Sequence, residues 1–453
     1  MRSLAWLALV LAACSEDAAP DPAANADAGV DAAPVAPGCE DFDARFEALR
    51  ARFEGDLGAN QVPGGALAVV CGGQVRSAGI GVVKAGGQPV ASSTRFQLAS
   101  MTKMLTAAAA LSLADEGTVD LSVPIGNVLP TLTYGNTVTL HHLLSHTSGL
   151  ATMFDREEAA GLRPVVLDNP SQPSWAPPGA VWNYNNVGYA IVGAILEEAS
   201  GTDFSLLVKD RVLTPFGMER ATLDVADLTG DYAFGHSGTP ASAQPLGPND
   251  SYYADPTYGP MGGCWASVDD LARLVQAPAL LRQAEPYVQT GSSPGQSYGY
   301  GLFVDEGTEP TTLYHSGSVQ GFLADLAIVP EAGVAAVAVV NADWYMPEIT
   351  YQAVDEFVDV RWVGDDTPPA AERLVGTYDS AVFGEIEVRS EATGLVAEFK
   401  DQAYTAPLQN GWYTNYEVEW RPESTEIPIN FWLDDQTGPA GYIVSVFGVA
   451  DRR

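Results

Sequence analysis

Near residue 330 the chain carries two apolar runs, Leu323–Val329 and Val334–Val340, broken only by Asp325 and separated by Pro330-Glu331-Ala332-Gly333. Each is too short for a typical helix and is bounded by turn formers, so the pair reads as a buried hairpin. Around it, from Cys39 to about Gly364, strands and helices alternate without a detectable repeat. Residues 65–83 read as two strands joined at Gly72-Gly73. Residues 101–116, with four consecutive alanines and Gly117 just beyond, read as a strong helix. The stretches 151–180 and 236–263, rich in Pro, Gly and polar residues, read as loops.

At 453 residues the chain exceeds one ordinary domain. Asp365-Asp366-Thr367-Pro368-Pro369 is a linker signal closing a domain at 39–364. Beyond it, Gly384–Arg389, Leu395–Phe399, Ile427–Leu433 and Tyr442–Val449 read as short strands with no long helix, predicting a small all-β domain over 370–453.

The N-terminus is Met1-Arg2-Ser3, an apolar run from Leu4 to Ala13, then Cys14. Such a run is too short to span a membrane and reads as a signal peptide over 1–13. Leu11-Ala12-Ala13-Cys14 looks like a bacterial lipobox, which predicts lipid on Cys14; the competing reading is an ordinary secretory signal cut nearby. Residues 14–38 are then a tether, since Ala, Asp, Pro, Gly and Asn cannot bury enough surface to order it. The expected location is outside the cytoplasm, lipid-anchored to the periplasmic or outer face of a bacterial membrane. Export permits a disulfide. Cys39 opens an amphipathic helix (Phe42, Phe46, Leu49, Phe53) and Cys71 ends a strand. An antiparallel helix and strand would pair Cys39 with Cys71 and leave Cys264 a buried thiol.

Acidic residues outnumber basic ones 57 to 22, a formal charge of −35. Nucleic acid is an excluded partner, and so is electrostatic docking on an anionic membrane. Membrane contact is expected only through the lipid, and the working partner is a small molecule or peptide substrate.

Chemistry concentrates first at Ser100-Met101-Thr102-Lys103, which opens the 101–116 helix and places Ser and Lys one turn apart on one face. A serine hydroxyl becomes a good nucleophile when a base takes its proton, and a desolvated lysine can be that base. The helix N-terminus adds positive potential and N–H groups for an oxyanion. The same tetrapeptide also suits a serine N-cap followed by a solvated lysine. A lysine at a helix start opposes the dipole, which favours the first reading.

Further motifs follow in order. Leu143-Leu144-Ser145-His146-Thr147-Ser148-Gly149-Leu150 is one. Trp182-Asn183-Tyr184-Asn185-Asn186-Val187-Gly188-Tyr189, after Pro177-Pro178-Gly179, is another. Gly262-Gly263-Cys264-Trp265-Ala266-Ser267 with Asp270-Leu271-Ala272 is a third, and His315-Ser316-Gly317 before an apolar strand is the last. Together with Ser100–Lys103 these closely resemble the landmarks of class C β-lactamases and related penicillin-binding proteins, over residues 60–350. The resemblance implies an α+β fold: an antiparallel sheet flanked by helices plus a mostly helical subdomain. It implies that Ser100 is acylated, that Lys103 is its base, and that Tyr184 shares proton transfer and protonates the leaving group. Asn186 would hold the substrate's amide carbonyl. His315 would help bind a carboxylate or support Tyr184. Gly317 and Ser318 would line the substrate site, the oxyanion hole being the backbone N–H groups of Ser100 and Ser318.

His315 stands where class C β-lactamases have lysine, and histidine is a weaker permanent cation. The expectation moves towards a serine hydrolase acting on amide, peptide or ester substrates, such as a D-amino-acid peptidase, carboxypeptidase or esterase. The alternatives are a β-lactamase and a non-catalytic binding protein retaining the fold. His142 and His146 have i, i+4 metal-ligand spacing but lack a following Glu and a third ligand, and read as structural. His236 could border the cleft, and Trp175, Trp182, Tyr252, Tyr253 and Tyr258 are candidates for its wall. No metal site, nucleotide motif or cofactor is expected.

Overall fold

A computed structural model of the chain describes residues 38–452, apart from 152–161, 250–254, 286, 291–294, 365–369, 381–383, 392–393, 403, 413–414, 420–425, 434–439 and 446–447. The expected signal segment 1–13, Cys14, the tether to residue 37 and the linker 365–369 lie outside the described residues.

The hairpin at 322–340 lies in the middle of an eight-stranded sheet. Its strands are β1 (Gly64–Cys71), β2 (Gln74–Gly81), β3 (Val288–Gln289), β4 (Gln296–Tyr298), β5 (Phe303–Asp305), β6 (Thr312–Val319), β7 (Phe322–Val329) and β8 (Val334–Val340), in spatial order 2-1-8-7-6-5-4-3. Every pairing is antiparallel. The first strand therefore sits against the last, with Gly65 opposite Val340.

Alternation of side chains across the pleat explains why the runs are apolar without a break. Leu67, Val69, Leu323, Ala327, Val329, Val334, Ala336 and Val340 face one side. There they meet Phe42, Phe46, Leu49, Phe53 and Leu57 of helix α1 (Phe42–Ala59) and the C-terminal helix of this region, Ile349–Phe357. Ala66, Ala68, Val70, Ala324, Leu326, Ile328, Ala335, Val337 and Val339 face the other side and the remaining helices. Both faces are covered, at roughly 1.5–3 kcal/mol per large side chain removed from water. Cys39 and Cys71 form a disulfide that ties the start of α1 to the end of β1, and Cys264 is a buried thiol.

On the second face lies α2 (Thr102–Asp115), whose Ala107–Ala110 are all buried against neighbouring helices. Two more helices matter for the site: α3 (Leu140–Leu144) and α4 (Asn186–Ser200). The chain thus has the antiparallel sheet, flanking helices and helical subdomain expected. From Gly376 to Arg452 eight further strands close into an antiparallel barrel.

Some local expectations shift. Residues 99–101 form a separate tight turn before α2. A helix spans Leu162–Asp168 inside a stretch expected to be loop; its Pro164 falls in the first turn, where proline is tolerated. The expected strand Tyr442–Val449 divides into Ala440–Ser445 and Gly448–Arg452. Among the described residues no helix is long and apolar enough to cross a membrane.

Candidate active site

The turn before α2 is built by strain and anchoring together. Ala99 sits at φ 48°, in the left-handed region that a β-carbon disfavours, and this swings Ser100 into the first position of the helical path. The turn is fixed from outside by the segment around Cys264. Leu98 N–H donates to the Cys264 carbonyl (2.8 Å), and the Thr102 hydroxyl accepts from Cys264 N–H (3.1 Å). The Gly262–Ser267 landmark therefore acts as a brace for the serine turn. Its own continuation is pinned by a capping box between Ser267 and Asp270.

Lys103, one turn later, is 0% exposed. Its Nζ lies 3.2 Å from Ser100 Oγ and 2.8 Å from the Met261 carbonyl. It also lies 4.8 Å from the ring centroid of Tyr184 and 5.5 Å from that of Tyr189. Burial drives its pKa well below the ordinary lysine value, which favours the neutral amine. A neutral amine can donate to Met261 and accept the Ser100 proton.

Tyr184 packs against the same pair. Burial raises its pKa, and a hydrogen bond with Ser100 opposes that rise without cancelling it. Its neighbour Asn185 caps α4, accepting from Gly188 N–H (3.0 Å) and donating to the Leu150 carbonyl (2.8 Å). Asn185 is thus bound into the structure, whereas Asn186, the next residue and the first of α4, is exposed. That division suits Asn186 to reach a substrate.

Strand β6 supplies the third side. Only Thr312–Tyr314 pair with β5, so from His315 onward that edge of β6 faces the serine turn. Gly317 makes the approach possible: a β-carbon there would lie 2.1 Å from the Leu98 carbonyl oxygen. Ser316 and Ser318 are exposed beside it. His315, by contrast, turns inward and is 2% exposed. Its Nδ1 meets the Ser316 carbonyl (2.6 Å) and its Nε2 the Tyr298 hydroxyl (3.3 Å). Burial lowers its pKa to about 3. A neutral ring with both nitrogens engaged offers no free cation for a substrate carboxylate, the first of its two expected roles. It leaves the other expected role, support of Tyr184, whose ring lies 6.3 Å away.

The other histidines also resolve. His142 Nδ1 accepts from Thr139 N–H at the start of α3, and His141 Nδ1 meets the Tyr300 hydroxyl (2.7 Å). No group of metal-ligating residues occurs among the described residues. His236 is buried with its Nδ1 on the Asn341 carbonyl (2.8 Å). Trp182 packs beside Tyr184, while Trp175 and Tyr258 are half-buried. Tyr252 and Tyr253 lie outside the described residues. Sequence reasoning missed Tyr189 and Tyr298, whose rings and hydroxyls complete the buried surroundings of Lys103 and His315. The Tyr189 hydroxyl donates to the Leu144 carbonyl (2.8 Å), so a helical tyrosine that reads as core also fastens α4 to α3.

The sequence model of the Beta-lactamase family matches residues 43–353, which holds every side chain of this site. The chain belongs to the beta-lactamase family. Penicillin-binding protein 4 of Amycolatopsis lactamdurans is 29% identical over 379 residues, covering 74% of this chain and 96% of that protein. Esterase EstB of Burkholderia gladioli is 29% identical over 287 residues, covering 52% of this chain and 73% of the esterase. Among solved structures, SurE superposes with a TM-score of 0.69 at 23% identity, covering 91% of this chain and all of SurE. A class C beta-lactamase superposes with a TM-score of 0.62 at 19% identity over 70% of the chain. This beta-lactamase family member is accordingly a serine hydrolase of the superfamily that also holds penicillin-binding proteins and esterases.

Proposed function

We propose that Ser100 is the acylated nucleophile and that the substrate is an ester or a D-amino-acid peptide bond. The observation that carries this is the fully buried Lys103 amine, 3.2 Å from Ser100 Oγ and anchored on the Met261 carbonyl, with Tyr184 packed against the same pair. In acylation the Ser100 proton passes to Lys103 or Tyr184 as Oγ bonds to the carbonyl carbon. The oxyanion is met by the backbone N–H groups of Ser100 and Ser318. Collapse expels the leaving group, which takes a proton from Tyr184, and water then cleaves the acyl-enzyme. Asn186, exposed at the start of α4, holds the substrate's amide carbonyl.

The neutral, buried His315 supports the choice of substrate: recognition here does not draw on a histidine cation for a carboxylate. That favours an ester or an internal D-peptide linkage over a C-terminal carboxylate or an anionic lactam. The resemblance to an esterase and a penicillin-binding protein agrees with it, and one solved neighbour is SurE with D-Leu. Fluorescent penicillin and fluorophosphonate probes test the nucleophile. Wild type should be labelled and Ser100→Ala should not; equal labelling of both sinks the assignment. A panel of short esters, D-alanyl peptides and nitrocefin then tests the substrate. Nitrocefin as the best substrate would overturn it.

An exported, lipid-anchored protein is the reading supported by Leu11-Ala12-Ala13-Cys14 and by the disulfide. The protein is exported and anchored through lipid on Cys14, with 14–38 as its tether and residues 39–364 and 370–453 as its two modules. Palmitate incorporation lost in Cys14→Ala is the expected result, and none in the wild type would refute it.

A further inference from the structure

His146 was expected to be structural because its partner at i−4 completes no metal site. Its surroundings point to something more specific. It follows α3 in the Leu-Leu-Ser-His-Thr-Ser-Gly-Leu segment and adopts φ 60°, a left-handed conformation that a histidine rarely takes. The conformation lets two atoms of one residue reach the same passing chain. The His146 carbonyl accepts from Asn183 N–H at 2.8 Å, and its ring Nδ1 accepts from Asn185 N–H at 3.0 Å. The residue between those two amides is Tyr184. The imidazole lies against the Tyr184 ring at 4.3 Å, backed by Tyr298 at 4.8 Å and Tyr189 at 5.1 Å.

We infer that His146 is a positioning residue for Tyr184, gripping the main chain on both sides of it and seating its ring against Ser100 and Lys103. This rests on the reading of Ser100 and Tyr184 as nucleophile and proton carrier. Two features argue against simple packing. The acceptor role of Nδ1 places the ring proton on Nε2, and that buried N–H has no partner among the described residues. The backbone is strained as well. An apolar residue would avoid the unpaired N–H, but it would bear the same backbone strain and could not accept from Asn185 N–H. Burial depresses the His146 pKa, which keeps Nδ1 an acceptor.

The test separates the acceptor from the ring. His146→Asn places Oδ1 near the former Nδ1, and asparagine tolerates φ above zero. His146→Phe keeps a ring without an acceptor, and His146→Gly relieves the backbone while removing both. Hydrolysis of phenyl butyrate and p-nitrophenyl butyrate is measured for each, beside wild type and Ser100→Ala. The expected result is an Asn variant within about threefold of wild type in kcat. The Phe and Gly variants should lose about 10- to 100-fold in kcat, the range of a misplaced acid–base group, with KM within about twofold. The loss should be larger on phenyl butyrate, whose poorer leaving group depends more on protonation by Tyr184. Gly matching wild type, Asn falling as far as Gly, or equal losses on both esters would overturn the role of His146. Activity surviving Ser100→Ala would instead refute the nucleophile itself. If the Phe variant does not fold, the Asn–Gly comparison carries the result.

Discussion

The contact between β6 and the serine turn converts into a sharp prediction for Gly317→Ala. The added methyl would lie 2.1 Å from the Leu98 carbonyl oxygen and 3.3 Å from Ala99 Cβ, where ordinary contact starts near 3.4 Å. One side must retreat by more than about 1 Å. Strand β6 is held along its length by β7, from Leu313–Ile328 to Val319–Phe322, so the turn is the part that yields. That turn carries Ser100, and a displacement of about 1 Å at a reacting group costs on the order of 100-fold in rate. Overpacking should also cost about 1–3 kcal/mol of stability. The assays are the acylation rate with a fluorescent penicillin and the urea midpoint. Gly58→Ala serves as control: it lies in α1 with nothing within 4 Å, and alanine there should leave acylation unchanged and stability equal or slightly higher. An acylation rate for Gly317→Ala within twofold of wild type, with an unchanged midpoint, would refute the tight approach.

Three other outcomes follow from particular contacts. Lys103→Met should lower acylation about 100- to 10,000-fold yet raise the urea midpoint, because it removes a fully desolvated amine; an unchanged rate or a lower midpoint would contradict the burial argument. Asp325, buried beside Thr350, has its carboxyl pushed up to about 7 by burial. The folded state therefore holds a proton that the unfolded chain releases near pH 4, so stability falls as pH rises from about 4 to about 7. Asp325→Asn should remove that slope and add up to about 4 kcal/mol at pH 8, read by urea unfolding at pH 5 and pH 8; an identical slope in both proteins would refute it. Replacing Cys39 and Cys71 together by alanine opens a crosslink with a sequence separation of 32 residues. The chain-entropy estimate is a loss of about 3–4 kcal/mol, and a variant as stable as wild type would contradict it.

What could be read beforehand was whatever depends on local order in the sequence. The apolar hairpin, the alanine helix behind Ser100 and the pairing of Cys39 with Cys71 follow from periodicity and turn residues. The order of landmarks brings Ser100, Lys103 and Tyr184 together. The direction of a side chain is another matter. His315 looked like a ligand for substrate because position alone says nothing about which way a strand residue points. The inward direction belongs to the alternation along β6, where His315 and Gly317 are buried and Ser316 and Ser318 are exposed. Tyr189 and Tyr298 carried no sequence signal because their hydroxyl partners, the Leu144 carbonyl and His315, are separated from them in sequence. The left-handed turn at Ala99 carries no residue signal at all, since alanine gives no hint of it and the brace lies at Cys264.

The pairing of β1 with β8 also governs when this enzyme can exist. Gly65 and Val340, roughly 270 residues apart in sequence, are neighbours, and until they meet the hairpin 64–81 has no sheet to join. The carbonyl that anchors Lys103 and the strand that faces Ser100 both arrive late in synthesis, after the nucleophile itself. A growing or clipped chain ending before residue 340 holds every acid–base group but no working cleft. A complete cleft requires the last central strand to close against the first.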